Sequence, residues 1–296
     1  MRVLIFGKTG QVARELGNAR WPAQCEVEQL GRAECDLLDT RSVAGAVFAG
    51  RPEIVINAVA YTSVDRAEAE PEAARTVNCE APAAMATACN ELGAVLIHLS
   101  TDYVFDGSKT TPYSEDDPTG PLSVYGRTKA EGECAIREAL PQHVIIRTSW
   151  VFAAHGANFV RTMLRLANER PELRIVDDQR GGPTAARDIA GAITTIVERM
   201  TEGGGRWGTF HFTGAETTTW FRFAQAIFDL SGRHPALIPI ASSEYRTAAR
   251  RPMNSVLDCG RIAREYGILQ PNWHLALKNV LAELNEVDEA AEGTAQ

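Results

Sequence analysis

A tyrosine and a lysine four residues apart, Tyr125-Gly-Arg-Thr-Lys129, are the side chains in this sequence best suited to moving a proton. On a helix, positions i and i+4 share a face, so both would point the same way. A phenol with its ordinary pKa near about 10 is a poor acid–base group at neutral pH. A neighbouring ammonium favours the phenolate and should lower that value toward the working range. The lysine can also hydrogen-bond a nicotinamide ribose and fix the face a cofactor presents. The spacing alone is common on amphipathic helices, so it needs partners. Thr101, at the end of the run His98-Leu-Ser-Thr101-Asp102-Tyr103, is one: its hydroxyl can donate to the carbonyl oxygen that Tyr125 would protonate. The plain alternative is that Ser100-Thr101-Asp102 caps a turn.

The second partner lies at the N-terminus. In Phe6-Gly7-Lys-Thr-Gly10-Gln-Val-Ala13, glycines follow an apolar run and open a helical pattern. Glycine lets the backbone turn sharply and approach a pyrophosphate held at a helix N-terminus. The tip of the next strand reads Gln29-Leu30-Gly31-Arg32, with no acid to bind a ribose 2′-hydroxyl. Arg32 suits a 2′-phosphate, which favours NADPH over NADH; a solvated loop charge is the alternative. Asp36 and Leu37 fit beside the adenine, though Asp36 would serve equally as a helix cap. A third strand ends in Asn57-Ala-Val-Ala60-Tyr61-Thr62, small enough to lie against a cofactor. Glycine turn, Thr101 and Tyr125/Lys129 together spell one chemistry: hydride from a nicotinamide, proton from a tyrosine, carbonyl to alcohol.

Elements must bring these pieces to one edge. Short β-branched runs at Val3–Phe6, Glu26–Gln29, Ile54–Asn57, Val95–Leu99 and Val144–Arg147 alternate with helical patterns, clearest at Glu72–Leu92. That alternation predicts an α/β fold, a doubly wound parallel Rossmann sheet, with ligands at the carboxyl ends of its strands. Beyond Trp150 the pattern loosens. Ala157–Glu169, Ala185–Met200 and Thr218–Leu230 read as helices, Leu173–Val176 and Thr209–Phe212 as strands, and about 231–273 as a mixed, proline-punctuated stretch. Residues 1–150, with about 185–215, form the expected dinucleotide domain. A smaller mixed lobe for substrate takes about 151–184 and 216–285, and the acidic 286–296 is a frayed tail.

Bulk properties agree. A 296-residue chain, 45% hydrophobic and 23% charged, can bury a full core. Its net charge of −8, without a basic run or zinc spacing, argues against a nucleic-acid surface. Six cysteines without paired spacing point to a reduced, cytoplasmic protein, and no apolar run is long enough for a membrane span. A homodimer is left open.

Gly7/Gly10/Ala13, Asn57-Ala-x-Ala, Ser100–Gly107 (Ser-Thr-Asp-Tyr-Val-Phe-Asp-Gly) and the Tyr-x-x-x-Lys pair together resemble the extended short-chain dehydrogenase/reductase family. Narrower motifs at Gly7–Val12, Val64–Pro71, Arg147–Phe152 and Arg250–Asp258 resemble its reductases of dTDP-linked keto-sugars over nearly the whole chain. The resemblance implies Thr101, Tyr125 and Lys129 as the catalytic set. It implies a cofactor, NADPH or NADH, held around Gly10, Gln11, Val12, Asp36, Leu37, Ala60, Tyr61 and Thr62, and a sugar facing Thr101, Asp102 and Trp150. Arg250 and Arg251 suit a diphosphate by bidentate geometry, or a surface ion pair. Two departures stand out. Ala13 replaces the usual third glycine. Where some relatives carry an acid that bridges dimers through Mg²⁺, this chain has Arg187, so no structural metal is expected there. The alternatives are a reductase, epimerase or dehydratase of another nucleotide sugar, and a non-catalytic NADP-binding regulatory subunit. A dehydratase would want a Glu after Asp102, and an idle subunit would not need the intact Thr–Tyr–Lys set.

Overall fold

The computed structural model describes residues 1–293, and side-chain surroundings through Asn285. Its centre is a six-stranded sheet of β1 (Arg2–Phe6), β2 (Glu26–Leu30), β3 (Ile54–Asn57), β4 (Val95–Thr101), β5 (His143–Thr148) and the edge strand Gly208–His211. All neighbours run parallel, in the order Gly208–His211, β5, β4, β3, β1, β2. The chain steps outward one way from β1 to β2 and the other way from β3 onward. The reversal lies between β1 and β3, where the carboxyl ends part and open a ligand crevice. This is the doubly wound parallel sheet expected from the alternation of elements.

Side-chain alternation along the strands builds two cores. Val3, Ile5, Ile56 and Ile146 face one way and pack with Leu16 of the helix Gln11–Asn18 and Ile189, Ile193 and Ile196 of the helix Ala186–Thr201. Leu4, Phe6, Val55 and Ile145 face the other way, onto Val47 of Thr40–Gly50, Met85 of Ala81–Leu92 and Ile136 of Val124–Ala139. Strands covered on both faces must be apolar throughout, which is why β1, β3 and β5 read as continuous Val/Ile/Leu runs.

One expected helix is divided. Glu72–Leu92 folds as a helix Pro71–Arg75, a π-helical turn Thr76–Glu80 and a helix Ala81–Leu92. Pro82 has no N–H for the carbonyl of Asn78, and in a regular α-helix its ring would press on that carbonyl. The wider turn just before it takes up the conflict.

A third cluster forms the smaller lobe. Phe152, Val160, Phe221, Phe223, Trp273 and Leu277 pack around the parallel pair Glu172–Val176 and Ala236–Ile240. Within the stretch expected to belong to that lobe, Leu257, Ile262 and Tyr266 pack instead with Phe210 and Ile193 in the sheet's core. The backbone of the last helix, Trp273–Gly293, runs into the segment expected as a tail from 286; residues 294–296 lie outside the described residues. Among the described residues no helix is long and apolar enough to cross a membrane.

A buried ion pair seats the helix Val124–Ala139 on the sheet. Glu133, 0% exposed, accepts from Arg147 Nε at 2.9 Å and Nη2 at 2.6 Å, and from Ser100 Oγ at 2.6 Å. Burial alone would raise its carboxyl; the hydrogen bonds and charge of Arg147 outweigh that and hold it below the ordinary value. Arg147→Ala would strand the buried carboxylate and should destabilise the protein by about 3–5 kcal/mol, measured by urea denaturation. Because Glu133 is depressed in the folded state, its contribution is complete above its unfolded pKa of about 4.3. It is lost as pH falls through the lower folded value, and the variant's deficit should shrink there.

Candidate active site

The cleft at the carboxyl edge has a volume of about 930 Å³. At its nucleotide end Gly7 turns out of β1 with φ +122°, a value that disfavours any side chain. Gly10 precedes the helix Gln11–Asn18 with no side-chain cap, so the first N–H groups face the cleft without an internal partner. These are the features a pyrophosphate requires. Gly7, Gly10, Gln11, Val12, Arg32, Asp36, Leu37, Ala60, Tyr61 and Thr62 all line the cleft, together with Tyr125 and Lys129. Arg32 is 79% exposed at its side chain and pairs with Asp36 at 3.1 Å. The Leu38 N–H, and then Arg32, hold Asp36 below its usual range. A second cation here escaped the sequence reading. Lys8 lines the same corner and reaches Glu34 at 2.5 Å.

Asn78 was likewise missed, sitting mid-helix in an alanine-rich run. On the π-helical turn its fully buried side chain accepts from Tyr61 N–H at 2.8 Å and donates to Tyr61 O at 3.2 Å and Thr128 Oγ1 at 3.1 Å. It thereby staples the loop 60–62 to the helix that carries Tyr125. The Tyr61 hydroxyl donates to Glu70 at 2.7 Å.

Tyr125 stands in the first turn of Val124–Ala139, a helix capped by Ser123, whose Oγ accepts from Gly126 N–H at 3.2 Å. The structure corrects the expected direction of its ionisation. Burial pushes Tyr125 up to about 12, and Asp102 adds to the rise while the Thr101 hydroxyl opposes it. Lys129, 1% exposed, directs its Nζ to the Leu99 carbonyl at 2.6 Å and to His98 Nε2 at 2.9 Å. Burial pulls Lys129 down to about 8 against the carboxylate of Glu133. Tyr125 is therefore a phenol at neutral pH, the form that donates a proton.

Thr101 ends β4 beside it. Its hydroxyl accepts from Tyr103 N–H at 3.2 Å and donates to Asp102 Oδ1 at 3.0 Å. Burial pushes Asp102 up to about 7, with Ser255 and Thr101 pulling the other way, and its Oδ2 has no hydrogen-bond partner among the described residues. Near neutrality Asp102 can thus carry a proton of its own. Protonated, it can reverse the bond to Thr101 and leave that hydroxyl's proton for a carbonyl oxygen.

The far end is an aromatic wall. Trp150 stacks on Trp220 with ring centroids 3.6 Å apart and an interplanar angle of 9°. Both line the cleft; the sequence pointed to Trp150 and not to its partner 70 residues on. Trp150 holds φ +47°, a left-handed backbone that a bulky residue adopts only when its surroundings impose it. Arg250 does not join the wall. It is exposed and outside the cleft lining, while Arg251 turns to Asp65 at 2.6 Å, tying Arg250–Asp258 to the segment Val64–Ala67.

Arg187 lies between two carboxylates, 3.6 Å from Glu15 and 3.6 Å from Glu283. A guanidinium in that position repels a divalent cation, so these residues do not fit a bridging metal. Among the described residues no group of three or more His, Cys, Asp and Glu could hold one.

Sheet, glycine turn and Thr101–Tyr125–Lys129 cluster define a nicotinamide-dependent oxidoreductase of the short-chain dehydrogenase/reductase architecture. Within that class the chain belongs to the family described as RmlD substrate binding domain, which residues 1–286 match. It is 44% identical to a dTDP-4-dehydrorhamnose reductase of Sinorhizobium fredii, over 95% of this chain and 97% of that one. The crystal structure of a dTDP-4-dehydrorhamnose reductase from Clostridium acetobutylicum superposes with TM-score 0.90 at 34% identity, over 96% of this chain and 100% of that one. One from Bacillus anthracis, in complex with NADP, gives 0.89 at 33%, over 95% and 99%.

The aromatic wall depends on Gly181. A Cβ there would lie 2.5 Å from Cε2 of Trp150. Gly181→Ala should unstack the two indoles, and near-ultraviolet circular dichroism should lose the stacked-tryptophan signal while the far-ultraviolet spectrum holds.

Proposed function

We propose that this enzyme reduces the 4-keto group of dTDP-4-dehydro-6-deoxy-L-mannose to give dTDP-L-rhamnose, with NADPH as the preferred donor. The observation that carries the reading is a complete Thr101–Tyr125–Lys129 cluster between a nucleotide turn and a tryptophan wall. It stands on a chain similar to dTDP-4-dehydrorhamnose reductases over nearly its whole length. Residues 1–150, with about 185–215, hold the cofactor; about 151–184 and most of 216–285 cover the sugar nucleotide. Six free cysteines are in keeping with a cytoplasmic enzyme.

The cofactor, when bound, supplies the hydride. Everything else falls to side chains. Tyr125, held as a phenol by burial, gives its proton to the carbonyl oxygen. Thr101 donates to the same oxygen as charge develops there, and protonated Asp102 donates to the Thr101 oxygen, which leaves that hydroxyl's single proton for the carbonyl. Lys129, on the same helix face, positions the ribose. Trp150 and Trp220 exclude water from one side of the sugar. Arg32 and Lys8 flank the place of a 2′-phosphate. Arg32's exposed pair with Asp36 is worth about 0–1 kcal/mol, so its guanidinium is easily recruited.

Purified protein mixed with NADPH and the keto-sugar should consume NADPH, followed at 340 nm, with dTDP-L-rhamnose as product. Absence of turnover with either nicotinamide, despite cofactor binding, would refute the reading. Tyr125→Phe should keep cofactor affinity and lose kcat by about 10²–10⁴-fold. Arg32→Ala should weaken NADPH binding about tenfold and change NADH binding less than about twofold, read by fluorescence titration.

A further inference from the structure

Two distant parts of the chain meet at Gln11, the first residue of the helix Gln11–Asn18 behind the glycine turn. The other part is His155-Gly-Ala-Asn158, which leads into the helix Phe159–Glu169 of the smaller lobe. Asn158 Nδ2 donates to Gln11 Oε1 at 3.0 Å, a bond between residues 147 apart in sequence, and to Ala153 O at 2.8 Å. His155 Nε2 is 3.1 Å from Gln11 O; a carbonyl only accepts, so that nitrogen carries a proton. The other ring nitrogen lies 3.6 Å from Glu15, one turn further along the same helix. Gly156, between them, has φ +70°, and a Cβ there would lie 3.0 Å from Gln11 Cγ. The loop is shaped to lie on Gln11, and the reaction as described uses none of these contacts.

Each bond has a second end. The Gln11 carbonyl and the Val12 N–H belong to one planar peptide unit and point in opposite directions. Val12 lines the cleft, and its N–H is among the first of the helix, which have no intrahelical partner. A pyrophosphate on that N–H and His155 on that carbonyl grip the two ends of one rigid plane, and each bond polarises the other in the same sense. Asn158 is fixed in turn: its Oδ1 accepts from Arg161 N–H at 3.1 Å and caps Phe159–Glu169. Phe159 packs on Trp220 with ring centroids 4.7 Å apart, and Trp220 stacks on Trp150. The cores also meet in this loop, Ala153 packing with the sheet and Ala154 with the smaller lobe. A continuous set of contacts thus runs outside the central sheet from the nucleotide turn to the tryptophan wall.

We propose that Asn158 and His155 are positioning residues that register the tryptophan wall to the cofactor: a pyrophosphate on the glycine turn fixes Gln11, and through it Phe159–Glu169 and Trp220, before the sugar nucleotide binds. The proposal rests on the glycine turn holding the cofactor and on Trp150 and Trp220 facing the sugar, as above. Hydride transfer needs its two partners placed to within about 0.5 Å, and here the cofactor turn and the tryptophan wall are built from separate parts of the chain. A bond from one ligand's seat to the other's wall supplies that registration. A merely structural bridge would hold the lobe equally with the turn empty or filled. This one ends on the peptide whose N–H the pyrophosphate takes, so its strength follows the cofactor.

Hydrogen–deuterium exchange of the full-length protein, with and without NADPH, reads the coupling. Protection of the peptide spanning Gly7–Ala13 registers that the cofactor is bound. In the native protein NADPH should also slow exchange in Phe159–Glu169 and Trp220–Ser231 by about fivefold or more, the low end of coupling between two sites. The double variant His155→Ala, Asn158→Ser loses both bonds to Gln11 and keeps a capping hydroxyl at position 158. In it, protection of the turn should remain and protection of the two helices should vanish. If that variant does not fold, Gln11→Leu removes the acceptor for Asn158, leaves the loop's own bonds intact, and should likewise weaken protection of the helices. Helices unprotected by NADPH in the native protein, or still fully protected in a variant that binds NADPH, overturn the proposal, whichever keto-sugar the enzyme reduces. With the keto-sugar as substrate and NADPH saturating, the double variant should lose about 10²-fold in kcat/KM, the cost of a misplacement of about 1 Å. Unchanged turnover in the variant also overturns the proposal, whereas a native protein that never reduces the keto-sugar refutes the assigned reaction alone.

Discussion

The rest of the structure depends on keeping Lys129 out of water beside Tyr125. Lys129 is almost fully buried, and a buried lysine must have its hydrogen bonds supplied by the protein. Leu99 O and His98 supply them from β4, and this locks the helix Val124–Ala139 in register with that strand. One turn further on, Glu133 repeats the arrangement with Arg147 on β5 and Ser100 on β4. The two buried attachments act together: the helix cannot slide or roll without stranding a charge. Tyr125 inherits its position from that constraint.

The same constraint explains the cofactor side. Asn78 reaches the helix through Thr128 and the loop 60–62 through Tyr61, so the wall of the nucleotide cleft is referenced to the helix that carries Tyr125. A conflict between Pro82 and the helix interior widens the turn on which Asn78 sits. At the other end Trp150, with its left-handed backbone, stacks on Trp220, and both pack against the smaller lobe's core. The glycine turn, Tyr125 and the tryptophan wall are thus set against one another by a handful of buried polar and aromatic contacts.

Much of the fold was legible in the chain. The apolar runs at Val3–Phe6, Ile54–Asn57 and Val95–Leu99 could hardly be anything but strands covered on both faces, and their ends carry Gly7, Asn57 and Thr101. Helix boundaries were read to within a residue or two wherever periodicity was strong, as at Ala186–Thr201. The π-helical turn was not legible, because it answers a clash between Pro82 and a carbonyl four residues back. Trp220 was not legible as a wall residue either. At the start of an amphipathic helix it looks like core, and only the fold brings it to Trp150. The two adjacent arginines, Arg250 and Arg251, likewise give no sign in sequence of which one turns inward to Asp65.

Residue type and order alone determined the sheet, the nucleotide turn and the Tyr125–Lys129 pair that lines the cleft, because each is encoded by local spacing: period two, a glycine turn after a strand, i and i+4 on a helix. Tertiary structure decided how those groups ionise. Burial raises Tyr125 to about 12 and Asp102 to about 7 and lowers Lys129 to about 8, so the expected lowering of Tyr125 gives way to a rise. A pKa depends on desolvation and on partners distant in sequence, such as Asp102 for Tyr125. Spacing along a chain carries no record of either.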